Sequence, residues 1–218
     1  MIRIKICCIK SIEEARMAIE EGASAIGLVG QMPSGPGPIS DERIREIAAF
    51  VPPAISTFLL TCETTAAGII AHHRRVNTST IQMVDKITEG SYSDIRSALP
   101  SVKLVQVIHV IDQTSVEEAI TVSGQVDAIL LDSGNPALAI KELGGTGRTH
   151  NWELSRLIRE KAGCTIFLAG GLNPENVRAA IEQVGPFGVD VCSGLRINGD
   201  LNREKLRAFI RNATWSAH

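Results

Sequence analysis

Two stretches late in the chain carry the residues best suited to hold an anion. Gly163-Cys-Thr-Ile-Phe-Leu-Ala-Gly-Gly-Leu-Asn-Pro-Glu-Asn176 and Gly188-Val-Asp-Val-Cys-Ser-Gly194 each run apolar and partly β-branched into glycine or serine-glycine. The first passes directly into Asn173, a helix cap, with Pro174 at the first helical position. This is the pattern of a strand, a tight turn and a helix start, made twice. Glycine lets main-chain N–H groups approach a ligand, and a helix N-terminus adds partial positive charge. Gly170, Gly171, Ser193 and Gly194 therefore suit a phosphate. A thiol and a carboxyl supply the complementary chemistry: Cys7 and Asp132 each end an apolar run. Placed on opposite sides of a bound sugar phosphate, they could take one proton and give another, which makes isomerisation by proton transfer the expected reaction class. A cysteine base must reach its thiolate form from a free pKa of about 8.5. Lys10 lies near enough in sequence to favour that form, and Cys8, Gln82 and His109 are further polar groups at strand ends.

The elements that must position these groups alternate along the chain. Residues 2–8 read as a strand, followed by a capping box, Ser11-Ile-Glu-Glu14, that opens a helix to about residue 22. Strand two covers 24–30, a Pro- and Gly-rich loop 31–39, and helix two 41–50 with Ser40 as its cap. Strand three covers 54–60 with a helix over about 64–75, and strand four covers 80–84 with a short helix over 91–99 stopped by Pro100. Strand five spans 102–110, ahead of a second capping box at Ser115-Val-Glu-Glu118, and strand six spans 126–132. A loop of roughly twenty residues containing Leu143-Gly-Gly-Thr-Gly147 precedes a helix from about Trp152, and a loop of that length usually carries function. The two glycine-ended stretches supply strands seven and eight, and residues 202–212 the closing helix.

Strict alternation, with largely continuous hydrophobicity in each strand, predicts an α/β protein: one (β/α)8 TIM barrel over residues 1–218 with a parallel eight-stranded sheet. An open doubly wound sheet would want its glycine fingerprint after strand one, whereas here the glycine turns come last. In barrels of this kind phosphate sites lie after strands seven and eight, and working residues stand at the C-terminal strand ends. That rule sets Cys7, Cys8, Lys10, Gln82, His109 and Asp132 on the rim that holds the two turns.

At 218 residues the chain suits one domain, and Lys+Arg of 22 against Asp+Glu of 24, without a cluster of like charge, gives no nucleic-acid or membrane surface. No apolar run is long enough to span a bilayer and no basic leader precedes an apolar core, so a cytoplasmic protein is expected. The five cysteines, Cys7, Cys8, Cys62, Cys164 and Cys192, lack paired CxxC spacing, which argues against a zinc knuckle or a disulfide framework. No metal is called for.

The residues so far collected resemble a known family. Lys5-Ile-Cys-Cys-Ile-Lys10 is similar to the KICGIT opening of phosphoribosylanthranilate isomerases, enzymes of tryptophan biosynthesis. Gly22-Ala-Ser-Ala-Ile-Gly27 resembles their GADAIGF, Leu130-Leu-Asp-Ser133 their LLDS, and Gly144-Gly-Thr-Gly147 with Trp152 their GGTG and following tryptophan. Leu168-Ala-Gly-Gly-Leu-Asn-Pro-Glu-Asn-Val177 and the stretch ending at Gly194 resemble LAGGLNPENV and GVDVSSG. The resemblance implies an Amadori rearrangement of an N-(5-phosphoribosyl) aromatic amine to a 1-amino-1-deoxyribulose 5-phosphate without metal or organic cofactor. Asp132 would be the acid and Cys7 the base, with the phosphate on Gly145, Gly147, Gly170, Gly171, Ser193 and Gly194. It also implies a monomer or a homodimer.

The chain departs from the family pattern at one end of the expected site. Where the family reads near SPRYVS, with an arginine expected to hold the anthranilate carboxylate, Ser34-Gly-Pro-Gly-Pro-Ile-Ser40 places Gly37. QLHG becomes Gln82-Met-Val-Asp85, and Cys8 and Lys10 stand where glycine and threonine are usual. Three readings follow: Lys10 replaces the lost charge and, with Gln82, contacts the substrate; the chain is a paralogue whose pocket takes a different phosphoribosylamine; or it is a sugar-phosphate-binding barrel without catalysis. A related isomerase of histidine biosynthesis would want aspartates at the ends of strands one and five, where this chain has Cys7 and the surroundings of Val110.

Overall fold

The computed structural model describes residues 1–134 and 149–214. Its main body is a closed barrel of parallel strands in sequence order, with β8 returning to β1. The strands are β1 (Arg3–Ile6), β2 (Ala25–Val29), β3 (Ser56–Thr61), β4 (Thr80–Met83), β5 (Lys103–His109), β6 (Ala128–Asp132), β7 (Thr165–Leu168) and β8 (Gly188–Val191). Helices α1 (Ile12–Glu20), α2 (Asp41–Phe50), α3 (Ala66–Val76), α4 (Tyr92–Ala98), α5 (Gln113–Ser123), α6 (Trp152–Lys161), α7 (Val177–Val184) and α8 (Arg203–Thr214) follow the strands in turn. This is the eight-stranded (β/α)8 architecture expected from the alternation.

A period of two along every strand divides the core. Ile4, Ile26, Leu28, Leu59, Ile81, Leu104, Ile129, Ile166 and Val189 pack outward into the layer shared with the helices. Their neighbours in sequence, including Ala25, Val29, Phe58, Leu60, Val105, Val107, Leu130 and Phe167, form a separate cluster inside the barrel that also contains Cys7 and Cys8. Both clusters are apolar, so β2, β6 and β7 read as near-continuous hydrophobicity although their two faces do different work.

Local capping differs from the sequence reading in instructive ways. Ser11 accepts from the Glu14 N–H as expected, but the Glu14 carboxylate does not return to Ser11; it accepts from the Lys10 N–H at 3.0 Å, the Leu201 N–H at 3.0 Å and Arg196. Helix α5 starts ahead of the expected box, because Asp112 offers an equally good oxygen sooner; Ser115 becomes the third helical residue and closes a box with Asp112. Asn173 caps a turn, not the helix itself: its Oδ1 accepts from Glu175 and Asn176 N–H groups at 3.0 and 2.9 Å, and regular α7 begins at Val177. After β8 comes a short hairpin that the sequence did not signal, β9 (Arg196–Ile197) against β10 (Asp200–Leu201). Among the described residues no helix is long and apolar enough to cross a membrane.

Candidate active site

The inward-facing register that fills the barrel also carries the reactive groups to its C-terminal rim. Cys7 lies one residue beyond β1, held by its N–H donating to the Val191 carbonyl at 2.8 Å, and Asp132 is the last residue of β6. Both are buried, at 4% and 8% exposure, and both line one cavity with Val29, Leu60, Gln82, Asp190 and Cys192. Gly170, Gly171 and Ser193 line the same cavity, so the thiol, the carboxyl and the glycine turns meet as the sequence predicts. Gly145 and Gly147 lie outside the described residues.

The turns after β7 and β8 are made by main-chain conformations few residues tolerate. Gly170 and Gly171 adopt φ of 80° and 64°, the left-handed region that glycine enters without a Cβ penalty. Gly194 lies against the preceding turn so closely that a Cβ there would stand 2.1 Å from the Leu172 carbonyl oxygen. The Asn176 side chain ties this ledge to α7 by donating to the Gly171 carbonyl at 3.0 Å. His150, which sequence reading did not single out, backs the ledge: its Nδ1 lies 2.9 Å from where a Gly170 Cβ would be, and burial lowers its pKa to about 4.

Electrostatics separate the two reactive groups. Burial pushes the Asp132 carboxyl above the ordinary carboxylate range and Asp190 adds to the shift, while the Ser133 N–H, donating at 2.7 Å, and His109 pull against it. A carboxyl whose pKa is raised holds its proton to higher pH, which suits a general acid. Around Cys7 the thiols crowd: Cys8 is held well above the usual thiol range by hydrogen bonding to Cys192 and Cys7 and by burial. Cys192 is lowered by the hydrogen bond from Cys8 and by the guanidinium of Arg196. Arg196 itself donates to the Cys7 carbonyl at 3.3 Å and to the Cys8 carbonyl, and its charge is met by Glu14 at 2.9 Å.

The expected contacts at the other end of the cavity need correction. Lys10 does not face the cavity; its ammonium donates to the Gly199 carbonyl at 2.7 Å and the Asp200 carboxylate at 3.1 Å, captured by the β9–β10 hairpin. His109 turns aside to the Val84 carbonyl at 3.3 Å and borders a separate depression with Asp85, Lys86 and Asp112. Gln82 does line the cavity, and its buried Oε1 lacks a partner among the described residues. Met32, Ser34, Gly35 and Pro36 of the 31–39 loop close this end. No lysine, arginine or histidine lines the cavity among the described residues.

Gly37 and Cys8 explain each other. Gly37 has φ of 85°, and a Cβ on it would lie 2.6 Å from the Cys8 Cβ. Cys8 in turn sits at φ of 61°, unusual for a residue with a side chain, and its thiol donates to the Pro36 carbonyl at 3.5 Å. The space a side chain at 37 would need is taken by Cys8. Lys5 and Asp190 were also missed by sequence reading, although a signal existed: Lys5 shares the parity of Arg3 and Cys7, opposite the apolar face made by Ile2, Ile4 and Ile6.

Comparison with known proteins is consistent with this geometry. A family model described as N-(5'-phosphoribosyl)anthranilate (PRA) isomerase matches residues 4–212. N-(5'-phosphoribosyl)anthranilate isomerase 2 of Methanosarcina mazei is 36% identical over 214 residues, covering 97% of this chain and 94% of that protein. The crystal structure of phosphoribosyl anthranilate isomerase from Thermotoga maritima is similar with a TM-score of 0.80 at 31% identity, covering 98% of both chains. A phosphoribosyl anthranilate isomerase in complex with reduced 1-(o-carboxyphenylamino)-1-deoxyribulose 5-phosphate gives a TM-score of 0.78 at 29% identity, again over 98% of each chain.

Proposed function

The chain belongs to the N-(5'-phosphoribosyl)anthranilate isomerase family, isomerases of tryptophan biosynthesis, and on that premise we propose that Cys7 and Asp132 are its base and its acid. The observation that carries the assignment is their convergence, from β1 and β6, on one cavity floored by the Gly170-Gly171 and Ser193 turns. The phosphate rests on main-chain N–H groups of Gly170, Gly171, Ser193 and Gly194, with the start of α7 beyond them. Gln82 accepts from a sugar hydroxyl through its unpartnered Oε1.

Protonated Asp132 donates to the furanose ring oxygen, and the C1–O bond breaks as the amine nitrogen lone pair forms an iminium. The Cys7 thiolate then takes the proton on C2, and the electron pair of that C–H bond flows to the iminium nitrogen, giving an enolamine. Tautomerisation places the carbonyl on C2 and leaves the amine on C1. No redox partner is consumed, since C1 is reduced as C2 is oxidised.

A second reading, a paralogue acting on a different phosphoribosylamine, is favoured by the Cys8–Gly37 contact, which leaves the loop end of the cavity without a side chain for a carboxylate. Turnover of N-(5'-phosphoribosyl)anthranilate beside the aniline analogue decides between them. For the catalytic pair, Cys7→Ala and Asp132→Asn each abolish turnover of the accepted substrate while inorganic phosphate still binds. Turnover surviving in either variant refutes the acid and base assignment.

A further inference from the structure

Lys5 is fully buried at the heart of the barrel, a costly place for an ammonium, and the proposed chemistry gives it no task. It stands directly opposite Asp190 in the β1–β8 register, and its Nζ lies 2.8 Å from Asp190 Oδ1. Around the pair the inward layer is Phe58, Val105, Ala128, Leu130 and Phe167, and the Lys5 Nζ rests 5.2 Å from the Phe58 ring centroid. A well-packed apolar pair in such a site often serves stability as well as an ion pair or better, so stability alone is a weak account of it.

The geometry at Gly27 gives a better one. A Cβ on Gly27 would lie 2.7 Å from Cys7 Sγ and 3.1 Å from Lys5 Nζ, so both atoms converge on the space this glycine leaves open. That holds them inside the ~6 Å over which an opposite charge favours the ionised form of a group. Asp190, at the other end of the pair, lines the cavity together with Asp132. We infer that the Lys5–Asp190 ion pair is a positioning device that polarises the site, its ammonium end favouring the Cys7 thiolate and its carboxylate end favouring protonated Asp132. One buried dipole thus prepares a base at β1 and an acid at β6.

The surrounding charged and titratable groups are compatible with this role. From beyond β1, Cys8 faces the pair; from beyond β8, Cys192; from β5, His109 acts on Asp132 in the sense opposite to Asp190. Arg196 reaches the Cys7 and Cys8 carbonyls, but its charge is matched by Glu14.

The inference rests on Cys7 and Asp132 being base and acid, and its test separates the two. In Asp190→Asn the carboxylate charge is lost while an oxygen remains for Lys5. Iodoacetamide should then label Cys7, followed by peptide mass spectrometry so that Cys8 and Cys192 are resolved, at least threefold faster at pH 7. In the same protein kcat should fall tenfold or more, KM should stay within threefold, and the alkaline limb of the pH–rate profile should move to lower pH. Lys5→Met/Asp190→Asn, lacking both charges, should label Cys7 at least threefold more slowly than wild type. A purely structural pair cannot move labelling and turnover in opposite directions. Labelling and kcat falling together in Asp190→Asn, or both staying at wild-type values, overturns the inference; should that variant unfold, the same two rates are read on Asp190→Ser. Cys7→Ala run alongside guards the premise, since turnover surviving there sinks the base assignment, whereas Cys7-dependent turnover with unmoved Asp190→Asn rates sinks only the ion-pair role.

Discussion

The end of the cavity formed after β7 and β8 is lined by main chain, whereas the end under the 31–39 loop is lined by side chains and by a loop packed on a distant thiol. At the first, Gly170, Gly171 and Gly194 bring amides to the surface by conformation and close approach. At the second, Cys8 fills the space beside Gly37, and behind it Arg196, paired with Glu14, donates to the Cys8 carbonyl. A main-chain site has few solutions, because only glycine fits its dihedrals and contacts. A side-chain site has many, since one exchange can be answered by another across the cavity, which makes it the natural place for a change of aglycone.

The sharpest way to break the main-chain end is Gly194→Ala. Its Cβ would stand 2.1 Å from the rigid Leu172 carbonyl oxygen, so the turns must separate. The expected cost is about 3 kcal/mol of stability, with inhibition by inorganic phosphate lost, as read by calorimetry and by inhibition assays. Unchanged phosphate inhibition would show that the anion does not use this ledge. Next in size is Gly37→Arg, which meets both a positive φ and Cys8, and should cost about 2 kcal/mol. The pair can be unlocked together: in Cys8→Gly/Gly37→Arg stability should recover by about 1 kcal/mol, and kcat/KM for the anthranilate substrate should rise well above that of Gly37→Arg alone. No recovery in the double variant would mean the two positions are independent and the comparison between the cavity ends is wrong.

What could be read in advance follows the same division. The barrel, its strand order and both glycine turns were legible because each is encoded within a few neighbouring residues: β-branched runs, Ser and Asn caps, Gly170-Gly171 ahead of Asn173-Pro174. The placement of Cys7 and Asp132 at the rim was legible once strand ends were assigned. The fate of Lys10 was not, because it depends on Asp200 and Gly199, far along the chain. Nor was the loss of half the first capping box, since Glu14 finds Arg196 and the Leu201 N–H, partners no local pattern names. The inward position of Lys5 had a local signal in the Arg3-Ile4-Lys5-Ile6 alternation, but its partner Asp190 comes from β8, which no local pattern names.

Acid separates the two ends by smaller effects. On the main-chain side His150 is lowered to about 4 by burial, with Nε2 against Ser155 Oγ at 2.7 Å. Its folded value lies below the ordinary histidine value of about 6.5, so its contribution is intact above that pH and is lost as pH falls from there towards 4, by about 2 kcal/mol after allowance for partial exposure. On the side-chain end the carboxyl of Glu14, despite its burial, is lowered by Arg196 and by the Leu201 and Lys10 N–H groups. Its contribution is present above the ordinary carboxylate value of about 4.3 and is lost only as pH falls below it, by about 1 kcal/mol. Denaturant titrations between pH 7 and 3 should therefore show His150→Gln flattening the upper part of the decline and Glu14→Gln the lower part. If both variants flatten the same interval, the two ends do not respond to acid separately, and the side-chain end owes its stability to contacts other than the Glu14–Arg196 pair.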